Sequence, residues 1–273
     1  PRRFFLSFEY EAVGRRGNSD EADAISTLQV AARTAVNYLK QCGNEVLTPE
    51  NEDEFTVDVL YSILCRQESS EVPLSSRVQE VVSRYVEQDK NTDAIPCTEF
   101  FAPKTIDFTH AKYICIDGLY HSYLLIPSDG YKSRVAAGWM SLLINAGDGI
   151  DIDLFLTKQP KERMVHKLGQ QLRINRSKIR ETSDTNTDFD DLDGAIRSGY
   201  FLKDGLANSE DFYYANILIT ITAETPEDLE WREREMKKLL VSQDLSMSSC
   251  AFREEQAFLS ALPLTNLEKH LYG

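Results

Sequence analysis

Residues Phe212–Ala223 read FYYANILITITA, and Ile217, Leu218, Ile219 and Ile221 place apolar side chains on both faces of any strand this run forms. Strand side chains alternate between the two faces of a sheet, so a run apolar on both must be covered on both. The segment is therefore expected as a central strand, since a solvent-facing edge does not tolerate it. The chain has 273 residues, 42% of them hydrophobic and 27% charged. That length allows one large domain or two small ones, and a chain of this size buries roughly 70–75% of its unfolded surface, which excludes disorder as a description of the whole.

The remaining elements follow from periodicity. Arg3–Val13 alternates Phe4, Leu6, Phe8 and Tyr10 with polar or opposite-facing residues and reads as a strand. Asp20 is placed as an N-cap for a helix whose apolar positions Ile25, Leu28, Ala32, Ala35 and Leu39 run to Gly43. Helices are predicted over Glu52–Arg66 and Ser76–Gln88, the latter with Val78, Val81, Val82 and Tyr85 inward. The prolines within Asp89–Pro103 break regularity and mark a boundary.

Beyond it, Tyr113–Ile116 and Leu119–Ile126 flank Asp117-Gly118, which supplies the positive φ angles of a tight hairpin turn. A helix over Tyr131–Asn145 and a strand over Ile150–Leu156 follow, and Pro160 opens a helix in which Met164, Leu168 and Leu172 recur every four residues as far as Arg180. A helix over Asp190–Asp204, the strand at Phe212–Ala223, a helix from Thr225-Pro226 to Val241, a strand over Leu245–Ala251 and a helix over Arg253–Ala261 complete the pattern. The order is β-α-β, a helical insertion, then β-α-β. The expectation is an α+β two-layer sandwich, ferredoxin-like in its second part, preceded by a smaller strand-plus-helices subdomain. The boundaries are 1–103, 104–264 with the insertion at about 160–206, and 265–273 as the start of a linker.

The motifs exclude more than they assign. Gly-Lys occurs nowhere, so no phosphate-cradling P-loop is present. Gly147-Asp148-Gly149 follows a helix and precedes a strand, the reverse of a dinucleotide-binding turn. Asp184–Asp188 imitates the first ligands of a calcium loop, but Phe189 stands where its glycine is needed and Ala195 where its bidentate Glu is needed. Asx turns and an N-cap are the simpler reading there. His110, His121, His166 and His270 are far apart, with His121 read as a strand residue and His166 as part of a basic helix face, while Asp151 and Asp153 share a face of an edge strand. Cys42, Cys65, Cys97, Cys115 and Cys250 form no C-x-x-C pair and read as small hydrophobes of a reducing compartment. A chain that opens on Pro1 reads as a piece of something longer, cytoplasmic by default.

Charge supplies the candidate site. Within a chain of net charge −14, Lys161, Arg163, Lys167, Arg173, Arg176, Lys178 and Arg180 are opposed only by Glu162. Glu181, Asp184, Asp188, Asp190, Asp191 and Asp193 then follow without a base. Arg173, Arg176 and Arg180, at i, i+3 and i+7, form a stripe on one helix. The readings are neutralisation by the acidic run, an acidic protein partner, or nucleic acid or anionic lipid. The overall charge opposes a phosphate backbone, so DNA binding is the less favoured of these.

The wording of three segments carries a resemblance: LGQQLRINRSKIRETSDTNTDFDDLDGAIRSGYFLKDGLANSEDFYY from Leu168, NILITITAETPEDLEWREREMKKLL, and CAFREEQAFLSALPL. They resemble the region preceding the motor in conjugal-transfer ATPases of type IV secretion systems, the Vir-B-four-like, TraC/TraE-type family of Gram-positive conjugative elements. RRFFLSFEYEA and QCGNEVLTPENED are similar to the same group. The resemblance implies a non-catalytic docking and assembly region for DNA or protein transfer. A RecA-like ATPase that binds ATP and magnesium would follow the QAFLSALPL junction at Gln256–Leu264, leaving no catalytic, cofactor or metal residue in this fragment. It further implies self-association of the full-length protein and partners among conjugation components at the inner face of the cell membrane, for which Arg163, Lys167, Arg173, Arg176, Lys178 and Arg180 are the candidate contacts. A nucleic-acid-binding module using the helix at 161–180 is the alternative, and a stand-alone hydrolase the least favoured.

Overall fold

The computed structural model describes residues 4–10, 20–46, 52–66, 71–131, 135, 138–181, 187–264 and 266–271. It is an α+β protein of helices and antiparallel strands, divided into two compact units.

The first unit comprises residues 1–109, 114–118 and 258–268. It contains α1 (Asp20–Gln41), α2 (Glu52–Cys65), α3 (Leu74–Glu87) and the short strands β1 (Ile106–Asp107) and β2 (Ile114–Ile116), which pair antiparallel. Asp20 lies inside α1 rather than capping it, and Gly43, at φ +82°, ends the helical run as expected. The strand expected over Arg3–Val13 is not formed in its described part. Phe4–Tyr10 is irregular, with Phe4, Leu6 and Phe8 exposed, because no described strand pairs with it and alternation alone does not make a ladder. Val78 is exposed, and the buried residues of α3 are Arg77 and Val81.

Arg77 is the organising residue of this unit. Its guanidinium pairs with Asp58 of α2 and lies 4.1 Å from the Tyr61 ring centroid. It also donates to the carbonyls of Val72 (3.2 Å) and Phe100 (2.7 Å). A buried cation requires partners of this kind.

The second unit comprises residues 110–113, 119–257 and 269–273. Asp117 and Gly118, at φ +49° and +87°, make the tight turn that leads from β2 into β3 (Leu119–Ile126). Then come α4 (Met140–Ile144), β4 (Ile150–Gln159), α5 (Lys161–Glu181), α6 (Thr187–Ala207), β5 (Phe212–Ala223), α7 (Pro226–Ser242), β6 (Ser248–Ser249) and α8 (Glu254–Ser260). The strands of this unit lie in the order β6-β3-β5-β4, each neighbouring pair antiparallel. β5 is central, as its two apolar faces require. Ile217, Leu218, Ile219 and Ile221 are fully buried.

One sheet face, carrying Leu124, Ile126, Ile217, Ile219 and Ile221, packs against Leu143 of α4 and Leu229, Met236 and Leu240 of α7. Thr225 caps α7 by accepting the Asp228 N–H at 3.2 Å, with Pro226 at the first helical position.

Two elements are shorter than their periodicity predicts. Of the helix expected over Tyr131–Asn145, the described residues are regular at Met140–Ile144, and Gly138, at φ +75°, precedes this run and is not helical. The strand expected over Leu245–Ala251 pairs only at Ser248–Ser249. The backbone reaches it after Ser246 N–H bonds Gly130 O at 2.8 Å, and leaves it at Phe252, where φ is +62°.

Candidate functional site

Gln159, the last residue of β4, pairs directly with Phe212, the first of β5. The chain between them forms the helical hairpin α5–α6, so this hairpin is appended to a continuous ribbon without altering its register. The two helices pack mainly on each other. On α5 the seam is Met164, Leu168 and Leu172, with Asn175 below it, its Oδ1 accepting from Gln171 Nε2 at 3.2 Å. On α6 it is Ile196, Gly199 and Leu206. Gly199 permits the close approach: a Cβ there would lie 2.9 Å from Leu172 Cδ2.

The six basic residues singled out in the sequence do not form one surface. Arg173 and Arg176 line a groove of about 350 Å³, together with Val165, His166, Gly169 and Leu172 of α5 and Tyr200 and Lys203 of α6. Arg180 continues their side of the helix by the three-and-four spacing. Arg163, Lys167 and Lys178 lie on another side of α5. Lys167 is engaged by Tyr214 at the start of β5, donating to its hydroxyl at 2.8 Å with its Nζ 5.4 Å from the ring centroid.

The groove exists because position 169 carries no side chain; a Cβ there meets nothing within 4 Å. Arg173 Nε donates to the Gly169 carbonyl at 3.2 Å, and the Arg176 guanidinium lies 5.6 Å from the Tyr200 ring centroid. No carboxylate lines the groove. Among the described residues, Arg173, Arg176, Arg180 and Lys203 form no ion pair with an acid. Neutralisation by the acidic run is therefore not what the described part of that run does. Its Asp193 pairs within α6, with Arg197 at 2.6 Å, while Asp184 and the side chain of Asp188 lie outside the described residues, as does the calcium-loop imitation they belong to. Lys203 and Tyr200 escaped the sequence reading because only the antiparallel return of α6 brings them opposite Gly169. The paired glycines at 169 and 199 were the available signal.

The other candidates behave as packing. His121 is buried in β3 with Nδ1 3.0 Å from Thr222 Oγ1. Burial, followed by the Glu254 charge, pushes the Cys250 thiol up to about 12, and burial pushes Cys65 up to about 11. Neither is a ready thiolate at neutral pH, whereas Cys42 and Cys97 are exposed. Asp151 and Asp153 share a face of β4, which is the end strand of its ladder. No group of His, Cys, Asp and Glu suited to a metal occurs among the described residues, and no helix there is long and apolar enough to cross a membrane. No protein-family model and no curated protein matches the chain.

Proposed function

We propose that this chain is the non-catalytic docking and assembly region of a conjugal-transfer ATPase, a ferredoxin-like domain whose α5–α6 hairpin engages another component of the secretion machinery. The observation that carries the reading is the placement of the hairpin. It is inserted between two strands that are already fully paired, so it adds nothing to the order of the sheet, and it presents Arg163, Arg173, Arg176 and Arg180, which form no ion pair among the described residues. The βαβ, insertion, βαβ order with strands β6-β3-β5-β4 supports the ferredoxin-like assignment. The wording of the chain from Leu168 to Leu264 supports the family. In the longer protein that this reading implies, ATP, magnesium and self-association belong to the motor region, and the docking partners sit at the inner face of the cell membrane.

The test is nucleotide hydrolysis. The natural full-length protein is expected to hydrolyse ATP and this chain alone to show none, because a phosphate loop is missing from it. Hydrolysis by the chain alone, abolished by a point substitution within it, contradicts the reading.

A further inference from the structure

The α5–α6 groove has a chemistry that docking does not require. Its floor is Gly169 and Leu172, and one of its walls is the Tyr200 ring. Three permanent cations, Arg173, Arg176 and Lys203, come to it from two helices, with His166 at its lining as a fourth nitrogen donor. Arg173 and Arg176 sit a helical turn apart on α5, while Lys203 stands across the groove on α6. A planar carboxylate offers two oxygens in one plane to such a set. A tetrahedral phosphate offers three diverging oxygens and up to two charges, matching donors that arrive from both helices. The groove is open to solvent, with Arg173, Arg176, Tyr200 and Lys203 exposed, and its volume of about 350 Å³ leaves room for a compact anion.

Size also discriminates between polymer and small ligand. A nucleic acid lying in the groove must run on over a chain of net charge −14, whereas a compact anion held within it is screened from distant carboxylates beyond about 8 Å at physiological salt.

We propose that the groove between α5 and α6 binds a phosphate-bearing small molecule, held by Arg173, Arg176 and Lys203 and packed against Tyr200. This holds independently of the docking reading, because the groove's lining is complete within the hairpin.

Pyrophosphate is the probe, titrated into the whole chain at about 150 mM salt and followed by calorimetry. Saturable one-to-one binding is expected, weakened about tenfold or more by Arg176→Gln and by Gly169→Leu. The second variant adds bulk in the groove without changing charge, at a position where the added Cβ meets nothing, and its circular dichroism and melting temperature are compared with the parent's. Arg163→Gln, on another side of α5, should leave binding unchanged. The proposal is overturned if pyrophosphate does not bind at about 10 mM, if Gly169→Leu binds as well as the parent, or if Arg163→Gln weakens binding as much as Arg176→Gln. It is equally overturned if a short oligonucleotide, an anionic lipid vesicle or an acidic peptide binds the groove and pyrophosphate does not displace it.

Discussion

At Arg77 a single charged side chain joins α2, the segment before α3 and the turn at Phe100. It is 5% exposed, while its partner Asp58 keeps contact with water at 29%. Arg77→Ala strands the partly buried carboxylate and two carbonyls, and should cost about 2–4 kcal/mol in urea denaturation. A loss below that of an ordinary surface substitution, about 0.5 kcal/mol, would show that the network is ornamental. Glu254 illustrates the opposite balance. Burial holds its carboxyl above the usual range, although the Phe252 N–H donated to Oε1 at 3.1 Å opposes the shift. The folded state then binds this proton more tightly than the unfolded state. The stabilisation it contributes is complete below the ordinary Glu range and is lost as pH rises through the raised value. Relative to Glu254→Gln, which keeps the acceptor, the parent chain should gain stability on acidification through that window, as denaturation midpoints measured across pH will show. A relative loss on acidification would contradict the assignment.

Among the elements, the turn before β4 is tightly constrained. Gly149 sits at φ +75°, and a Cβ there would lie 2.7 Å from the Thr222 carbonyl oxygen. Its own carbonyl accepts the Thr222 N–H at 2.8 Å, while Arg232 bonds the neighbouring Asp148 carbonyl at 2.8 Å. Gly149→Ala should cost about 2–3 kcal/mol by thermal unfolding, whereas Gly138→Ala, at the same φ of +75° but facing open space, should cost less. Equal effects at the two positions would contradict the close approach. This turn was legible in the sequence as a turn, since glycines between a helix and a strand have few other uses. The central strand was legible from its two apolar faces, and α5, α6 and α7 from their spacing and caps. What escaped was set by distant partners. Phe4–Tyr10 alternates but finds no ladder among the described strands, Arg77 carries no sequence signal of the Asp58 and Phe100 partners that surround it, and the basic run divides into a groove and another side once α6 lies against α5. Periodicity records which face of an element is apolar and is silent about what the polar face meets.

On the scale of the whole molecule, an acidic chain carries a local concentration of base on a helical hairpin that its sheet does not need. A net charge of −14 keeps polyanions at a distance, so the hairpin's exposed cations are better suited to a partner met at short range. Arg163 and Arg180 are exposed, do not line the groove and form no ion pair among the described residues. The charge reversal Arg163→Glu, on another side of α5 from the groove, therefore separates docking from the groove. The measurement that reaches the central claim most directly is the frequency of DNA transfer from donor cells whose own copy of the protein carries this change. The docking account predicts a fall of about tenfold or more, with the melting temperature of the purified chain and its pyrophosphate binding both unchanged. Transfer at the parental frequency, with the variant protein present at the parental level, would contradict it.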